Sequence, residues 1–315
     1  MKASEQYNPR GKLCALQSAG TSTMNIETIG MIGTGIMGRP MAMNLLQANY
    51  KLAFYARRAG SLQPFESRPV NRFETPAELA RHCDITITMV SDTPDVREVI
   101  AGEAGIIHGA QPGHLVIDMS TISPEETRSL AMQLGSRNIE MLDAPVSGGE
   151  QGAIDATLSI MVGGKDELFA QALPVLQCLG KNITHVGDHG AGQVAKACNQ
   201  ILVAQTMSAV AEAFLLARSS GVDPAKVREA LMGGFAYSRI LEVHGKRMLD
   251  NAYRPGFKAA LHHKDLEIAL HSARENGISI PGTDLVADYL EKIVETGNGE
   301  LDSAAIAKII LGEIK

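Results

Sequence analysis

The run Gly33-Thr34-Gly35-Ile36-Met37-Gly38 constrains this chain more than any other feature. It follows a short apolar stretch at 29–32 and precedes an amphipathic one at 40–47, the order of a strand, a tight turn and a helix. In such a unit the first glycine permits the turn, the second lets a pyrophosphate approach the backbone, and the third lets the helix pack closely on the strand. The free N–H groups of the helix's first turn then face the phosphates. A dinucleotide is the expected ligand. A glycine turn that binds nothing is the competing reading, and the flanking strand and helix weigh against it.

The β-prone run 52–55 ends at Arg57 and Arg58, about 20 residues past the glycines, where an NAD-specific fold places an Asp or Glu for the ribose 2′-hydroxyl. No carboxylate stands there. An arginine fork matches a 2′-phosphate bidentately, so NADP(H) is expected over NAD(H), with NAD kept as the alternative. A solvated pair of loop arginines is the reading without a ligand. The end of the next strand candidate, Met89-Val90-Ser91, is grouped with the cofactor contacts.

Further strand-like runs at 85–90, 114–118 and 139–142 alternate with helical stretches at 75–82, 95–101 and 124–134, which predicts a doubly wound, mostly parallel α/β sheet of the Rossmann type. After 158–162 and 183–186 the strand signals stop, and from Gly192 onward the pattern is helical. The expected division is a flexible extension over 1–24, a dinucleotide-binding part over 25–189 and an all-helical part over 190–315. The stretch 194–217 is apolar on nearly all sides, as in a helix buried against two partners at an interdomain or dimer core. Asn199, Gln200, Gln205 and Glu212 interrupt it, which disfavours a membrane span.

Three segments place polar residues where apolar packing is expected. Asp118 through Pro124 follows a strand and enters a helix, where open α/β sheets bind ligands. Ser123 before Pro124 reads as a helix cap, with Glu126 as the capping-box acid, which leaves Ser120 and Thr121 to face a nicotinamide. Asp143 through Gly149 sets Ser147 beside Gly148 and Gly149, either a small nest for a carboxylate or a plain turn. Finally, Gly190 through Gln200 opens the long helix, with Lys196 and Gln200 on one face and Asn199 beside them. A buried lysine has a lowered pKa and suits acid–base work, whereas a lysine snorkelling to water would serve no chemistry.

At 315 residues, with 45% apolar and 20% charged residues, the composition is that of a globular protein of about two domains. A net charge of −6 gives no footprint for nucleic acid. Cys14, Cys83, Cys178 and Cys198 lack paired or metal-type spacing, which points to reduced thiols in the cytoplasm. The apolar patch 13–16 is too short for a secretion signal, although Lys2, Arg10 and Lys12 against the single acid Glu5 leave an organelle-targeting segment open. His262 and His263 precede Lys264, but adjacent helical histidines point apart and no further ligand completes a set, so no metal is expected.

From about residue 26 onward the chain resembles the β-hydroxyacid dehydrogenase family, the group that includes 3-hydroxyisobutyrate dehydrogenase and tartronate semialdehyde reductase. The resemblance rests on the glycine loop with Met37 inside it, Ser120-Thr121, the segment from Asp143 to Gly149, the helix bearing Gly190, Gly192, Lys196 and Asn199, and Lys264-Asp265-Leu266. It implies a Rossmann domain joined by a long helix to a helical domain, with the active site in the cleft between them. It also implies Lys196 as the catalytic residue, Ser120, Ser147, Gly148, Gly149 and Asn199 as substrate anchors, and Lys264 near the nicotinamide. Many relatives carry a second Asn where this chain has Gln200, as the tartronate semialdehyde reductase-like members do. The implied reaction moves a hydride between NADP(H) and a small carboxylate-bearing β-hydroxyacid or semialdehyde acid, in a homodimer or homotetramer without membrane or nucleic-acid partners. An imine or larger hydroxyacid substrate, with the cleft reshaped by Phe235, Tyr237 and Arg239, and a non-catalytic NADPH-binding sensor are the alternatives. Lys196 speaks against the imine, and a lysine beside a carboxylate nest against the sensor.

Overall fold

The structure is a computed structural model that describes residues 26–314. The expected extension over 1–24 and Cys14 lie outside the described residues.

Strand β1 (Thr28–Ile32) is buried at four of its five positions and occupies the middle of the sheet. It is flanked in parallel by β2 (Lys51–Tyr55) and β4 (Ile85–Thr88), with the short β3 (Asn71–Arg72) beyond β2. On the other side β5 (Leu115–Asp118) and β6 (Glu140–Asp143) continue the parallel ladder. Strands β4 and β5 are buried throughout, as expected of parallel strands covered on both faces. Helices α1 (Gly38–Gln47), α2 (Pro76–Arg81), α3 (Thr93–Ala101) and α4 (Pro124–Gly135) provide that cover. The last three start alike, with a proline in the first turn and Thr75, Asp92 or Ser123 accepting a free N–H. Ser123 accepts from the Glu126 N–H at 3.2 Å, the cap expected from the sequence.

The sheet is not parallel to its edge. Strand β8 (Leu158–Gly163) runs antiparallel to β6 and to the two-residue β7 (Val146–Ser147), because the connection through α5 (Gly149–Ile154) is too short for a full crossover. Helix α6 (Asp166–Leu176) then returns the chain to β9 (Gly180–Gly187), parallel to β8.

Every regular element after β9 is helical: α7 (Ala191–Ser219), α8 (Pro224–Leu231), α9 (Arg239–Leu249), α10 (Ala259–Glu275), α11 (Pro281–Glu295) and α12 (Ile306–Ile310), with a 3₁₀ turn at Ser303–Ala305. A separate apolar core holds these helices together, in which Ala204, Met207, Val210 and Phe214 of α7 meet Leu241, Leu266, Leu290 and Ile306. Helix α7 is long and apolar enough to cross a bilayer, yet 44% of its most apolar window is buried inside the protein, where it acts as a core helix. Its first turn docks on the sheet. A Cβ on Gly192 would lie 2.8 Å from both the Asp143 carbonyl oxygen and a carboxylate oxygen of the same residue, so the helix reaches β6 only through a glycine.

Candidate active site

The glycine loop has the conformation that its sequence requires. Gly33 adopts a φ of +97°, and a Cβ there would run into the Met89 carbonyl oxygen. A Cβ on Gly38 would likewise run into the Gly33 carbonyl oxygen, so helix and strand touch through backbone alone. Gly35 differs, having no atom within 4 Å of where its Cβ would stand. No side chain caps the start of α1. Open space over Gly35 at an uncapped helix N-terminus is the shape and polarity that a pyrophosphate needs. Ile36 is exposed, Met37 packs on the core, and Thr34 is buried with its hydroxyl 3.0 Å from Ser61 Oγ, tying the loop to a 3₁₀ turn at Ala59–Phe65.

Arg57 and Arg58 follow β2, both exposed. Arg57 rests 2.9 Å from Asp95 of α3, so a carboxylate does stand near this end of the sheet, supplied by a different element. On the next strand end Met89 donates its N–H to the Ile32 carbonyl, and the Val90 N–H donates to Ser120 Oγ at 3.0 Å. That switch of partner ends β4 at Thr88, two residues earlier than the apolar run suggests. Ser91 is exposed just beyond.

Ser120 is fully buried and its hydroxyl is committed to Val90. That contact ties the start of the loop after β5 to the end of β4. The neighbouring Asp118 accepts from the Thr88 hydroxyl at 2.7 Å and the Ser120 N–H at 3.1 Å, and its second oxygen has no partner. Burial pushes its pKa up to about 6, against the hydrogen bonds that favour the ionised form.

Helices α7 and α10 supply the charged centre. Lys196 is 6% exposed, and its Nζ donates to Gln200 Oε1 at 3.0 Å. Asn199 Nδ2 donates to the same oxygen at 2.7 Å, and Gln200 Nε2 donates to Asp265 Oδ2 at 2.7 Å. The other Asp265 oxygen lies 3.0 Å from Lys264 Nζ, which also donates to the Thr121 carbonyl at 2.5 Å. One chain of contacts thus joins Lys196, Asn199, Gln200, Asp265, Lys264 and Thr121 across the junction of sheet and helices. Burial lowers the Lys196 pKa; the Asp265 carboxylate opposes this and the Lys264 ammonium reinforces it. A snorkelling lysine would reach water, and this one does not.

The nest residues share no hydrogen bond with that chain of contacts. Ser147 is half-buried, and its hydroxyl engages no protein group among the described residues. Gly148 and Gly149 take φ values of +137° and +62°, which turn the backbone sharply into α5. The Gly256 carbonyl oxygen lies 3.8 Å from where Gly149 would carry a Cβ, so a loop of the helical part faces the nest. That loop is held by Asp302, which accepts from the Gly256 N–H at 2.9 Å and the Phe257 N–H at 3.2 Å and pairs with Arg247. Fully buried His262 packs on Phe257, ring centroids 5.4 Å apart.

Three residues that organise this region carried no site role in the sequence reading. Asp265 was visible only as part of a motif; an acid directly after Lys264, in a helix facing another lysine, was the available signal. Asp143 lies inside the presumed nest, but its carboxylate is engaged by the Gly190 N–H at 2.8 Å and the Gln193 N–H at 3.0 Å, neutralising the start of α7. Gln193 reaches back to the strand-end loop. No sequence pattern announces a contact between residues so far apart in the chain.

Comparison with known proteins agrees with this fold. Residues 28–187 match the NAD binding domain of 6-phosphogluconate dehydrogenase, and residues 190–310 match the NAD-binding domain of NADP-dependent 3-hydroxyisobutyrate dehydrogenase. The chain is 45% identical to the 2-hydroxy-3-oxopropionate reductase of Escherichia coli, over 90% of this chain and 96% of that one. It is 32% identical to the 2-(hydroxymethyl)glutarate dehydrogenase of Eubacterium barkeri, over 89% and 94% of the two chains. Among solved structures, Mycobacterium tuberculosis 3-hydroxyisobutyrate dehydrogenase with L-serine superposes with a TM-score of 0.83 at 32% identity, covering 91% of this chain and 99% of that one.

Proposed function

The chain belongs to the 3-hydroxyisobutyrate dehydrogenase family of β-hydroxyacid dehydrogenases, nicotinamide-dependent oxidoreductases, and from that membership we propose that it reduces a short semialdehyde acid such as 2-hydroxy-3-oxopropionate with NADPH. The observation that carries the proposal is Lys196, buried on α7 and fixed by Gln200 in a junction lined by Asn199, Lys264 and Thr121. The reading divides the labour between a cofactor-binding part over 25–189 and a helical part over 190–315.

When bound, the nicotinamide supplies or takes the hydride. Lys196 gives its proton to the carbonyl oxygen as negative charge builds there, and its lowered pKa makes that transfer easier than from an ordinary lysine. Asp265 keeps the ammonium charged enough to serve, and Gln200 aims it. The substrate carboxylate rests on the free Ser147 hydroxyl and the turned backbone of Gly148 and Gly149. Asn199, Gln200 and Lys264 make the remaining wall polar, which favours a substrate with a hydroxyl beside its carbonyl over one with a methyl group there, because amide groups left unpaired would penalise the methyl analogue. Open space over Gly35 and the arginines after β2 hold the cofactor, the arginines favouring the 2′-phosphate. The apolar stripe left exposed on α7 supports assembly into a homo-oligomer.

The test is a panel of short aldehydes followed by NADPH absorbance, run on the wild type, Lys196→Ala and Lys196→Arg. Semialdehyde acids should turn over and neutral aldehydes of equal size should not. Lys196→Ala should lose on the order of 10²–10⁴ in single-turnover rate while NADP(H) affinity stays within a few-fold. Lys196→Arg should fail too, since a guanidinium keeps its proton. Reduction needs the protonated lysine, so wild-type turnover should fall as pH rises through a pKa below that of free lysine, and oxidation should rise through the same window. A fully active Lys196→Ala enzyme sinks the mechanism.

A further inference from the structure

Gln193 is 1% exposed and stands one helical turn before Lys196, on the same buried face of α7. All three of its polar groups that point away from its own helix are used. Its side-chain oxygen accepts from the Ile122 N–H at 3.1 Å, and its side-chain amide donates to the Ser120 carbonyl at 2.9 Å. Its backbone N–H donates to Asp143 Oδ2 at 3.0 Å. The amide therefore grips the backbone on both sides of Thr121, much as a neighbouring strand would, while the helix that carries it is pinned to the end of β6.

Thr121 is the residue between those two contacts, and its own carbonyl is taken by Lys264. The loop after β5 is thus fastened to α7 by Gln193 and to α10 by Lys264. Ser120, at the start of the same loop, accepts from the Val90 N–H and so carries the constraint to the end of β4, beside the glycine loop. Between the wall that faces the cofactor and the first turns of α7, Gln193 is the side chain that spans the gap through paired hydrogen bonds.

We propose that Gln193 is a positioning residue for hydride transfer: it sets the separation between the strand-end loop at Thr121 and the Lys196 ammonium one turn further along α7. This rests on the reading of Lys196 as proton donor. Reacting groups tolerate little displacement, a shift of about 1 Å costing up to roughly 10²-fold in rate. A glutamine that makes two buried hydrogen bonds to one loop is suited to hold such a distance, because losing either leaves a buried backbone group unpaired.

The experiment compares Gln193→Met, which keeps length and packing while removing both hydrogen bonds, with Gln193→Ala, each in the wild-type and the Lys196→Ala background. Reduction is followed in single turnover with NADPH and with deuterated NADPH, alongside cofactor titration and thermal melting. With Lys196 present, both variants should lose about 10- to 100-fold in rate, with NADPH affinity within about threefold and a larger isotope effect, as hydride transfer becomes more fully rate-limiting. With Lys196→Ala, the further loss should shrink to less than about threefold, because the misplaced group is already gone. Unchanged turnover in Gln193→Met overturns the proposal, and so does an equal loss in both backgrounds. A loss that tracks the folded fraction with an unchanged isotope effect also overturns it, since that is what a purely structural residue would give. If Lys196→Ala alone proves fully active, the proton-donor reading falls and this one with it; an inactive Lys196→Ala beside a fully active Gln193→Met refutes the positioning role alone.

Discussion

At the scale of single residues, the proposed preference for NADPH rests on Arg57. Its ion pair with Asp95 is exposed, with the arginine side chain 70% accessible, and such pairs contribute at most about 1 kcal/mol. A 2′-phosphate offers the same guanidinium a doubly charged, bidentate partner and should displace Asp95 readily. With NADH the pair has no reason to open. Arg57→Ala should therefore weaken NADPH binding by about tenfold or more and leave NADH within about threefold, read by fluorescence titration of both cofactors. Equal losses for the two would remove the 2′-phosphate assignment.

At the scale of elements, two glycines at helix starts should respond differently to the same added methyl group. Gly35 has a non-positive φ and open space, so Gly35→Ala should leave the melting temperature within about a degree while reducing NADPH affinity, because the methyl group would stand in the proposed pyrophosphate site. At Gly192 a Cβ would run into the Met161 and Asp143 carbonyl oxygens, so Gly192→Ala should lower the melting temperature by several degrees and disturb turnover through the start of α7. Similar melting shifts for the two would contradict the division between a cofactor glycine and a packing glycine. The same contrast explains what could be read in advance. The glycine loop, the parallel core strands and α7 are local patterns, carried by apolar period and turn chemistry within a few residues. The antiparallel pairing of β8 is not, because it follows from a short α5 and a two-residue β7 that have no periodicity of their own. Lys196 and Asn199 were legible as polar residues on an apolar helix, and Lys264 through the family resemblance alone. The hydrogen bond from the Val90 N–H to Ser120 was not, because it comes from another strand end. Gln193, Asp143 and Asp302 likewise act through contacts at long sequence separation.

At the scale of the whole molecule, α7 has two faces, and among the described residues only one is covered. Its buried side carries Gln193, Lys196 and Gln200 toward the site and Ala204, Met207 and Phe214 into the helical core. On the other side Val194, Cys198, Leu202, Ala209 and Leu216 recur at helical spacing and stay exposed, with Leu202 and Leu216 each 69% accessible. A mostly apolar row along a helix of 29 residues, broken by exposed Glu212, is uncommon on an isolated chain in water, and a second copy presenting the same row would cover it. A symmetric pairing along α7 would also make each active site's supporting helix part of the interface, so assembly and site rigidity would be coupled. Sedimentation velocity should find an oligomer at micromolar concentration. The double substitution Leu202→Glu with Leu216→Glu, which places charges in that row without touching the face of Lys196, should shift it to monomer and lower the melting temperature. NADPH affinity should stay within a few-fold in the variant, because the glycine loop and Arg57 lie on the sheet, away from α7's exposed row. A wild-type protein that sediments as a monomer at every concentration, or a variant that remains fully assembled, would show that this face of α7 does not hold the copies together.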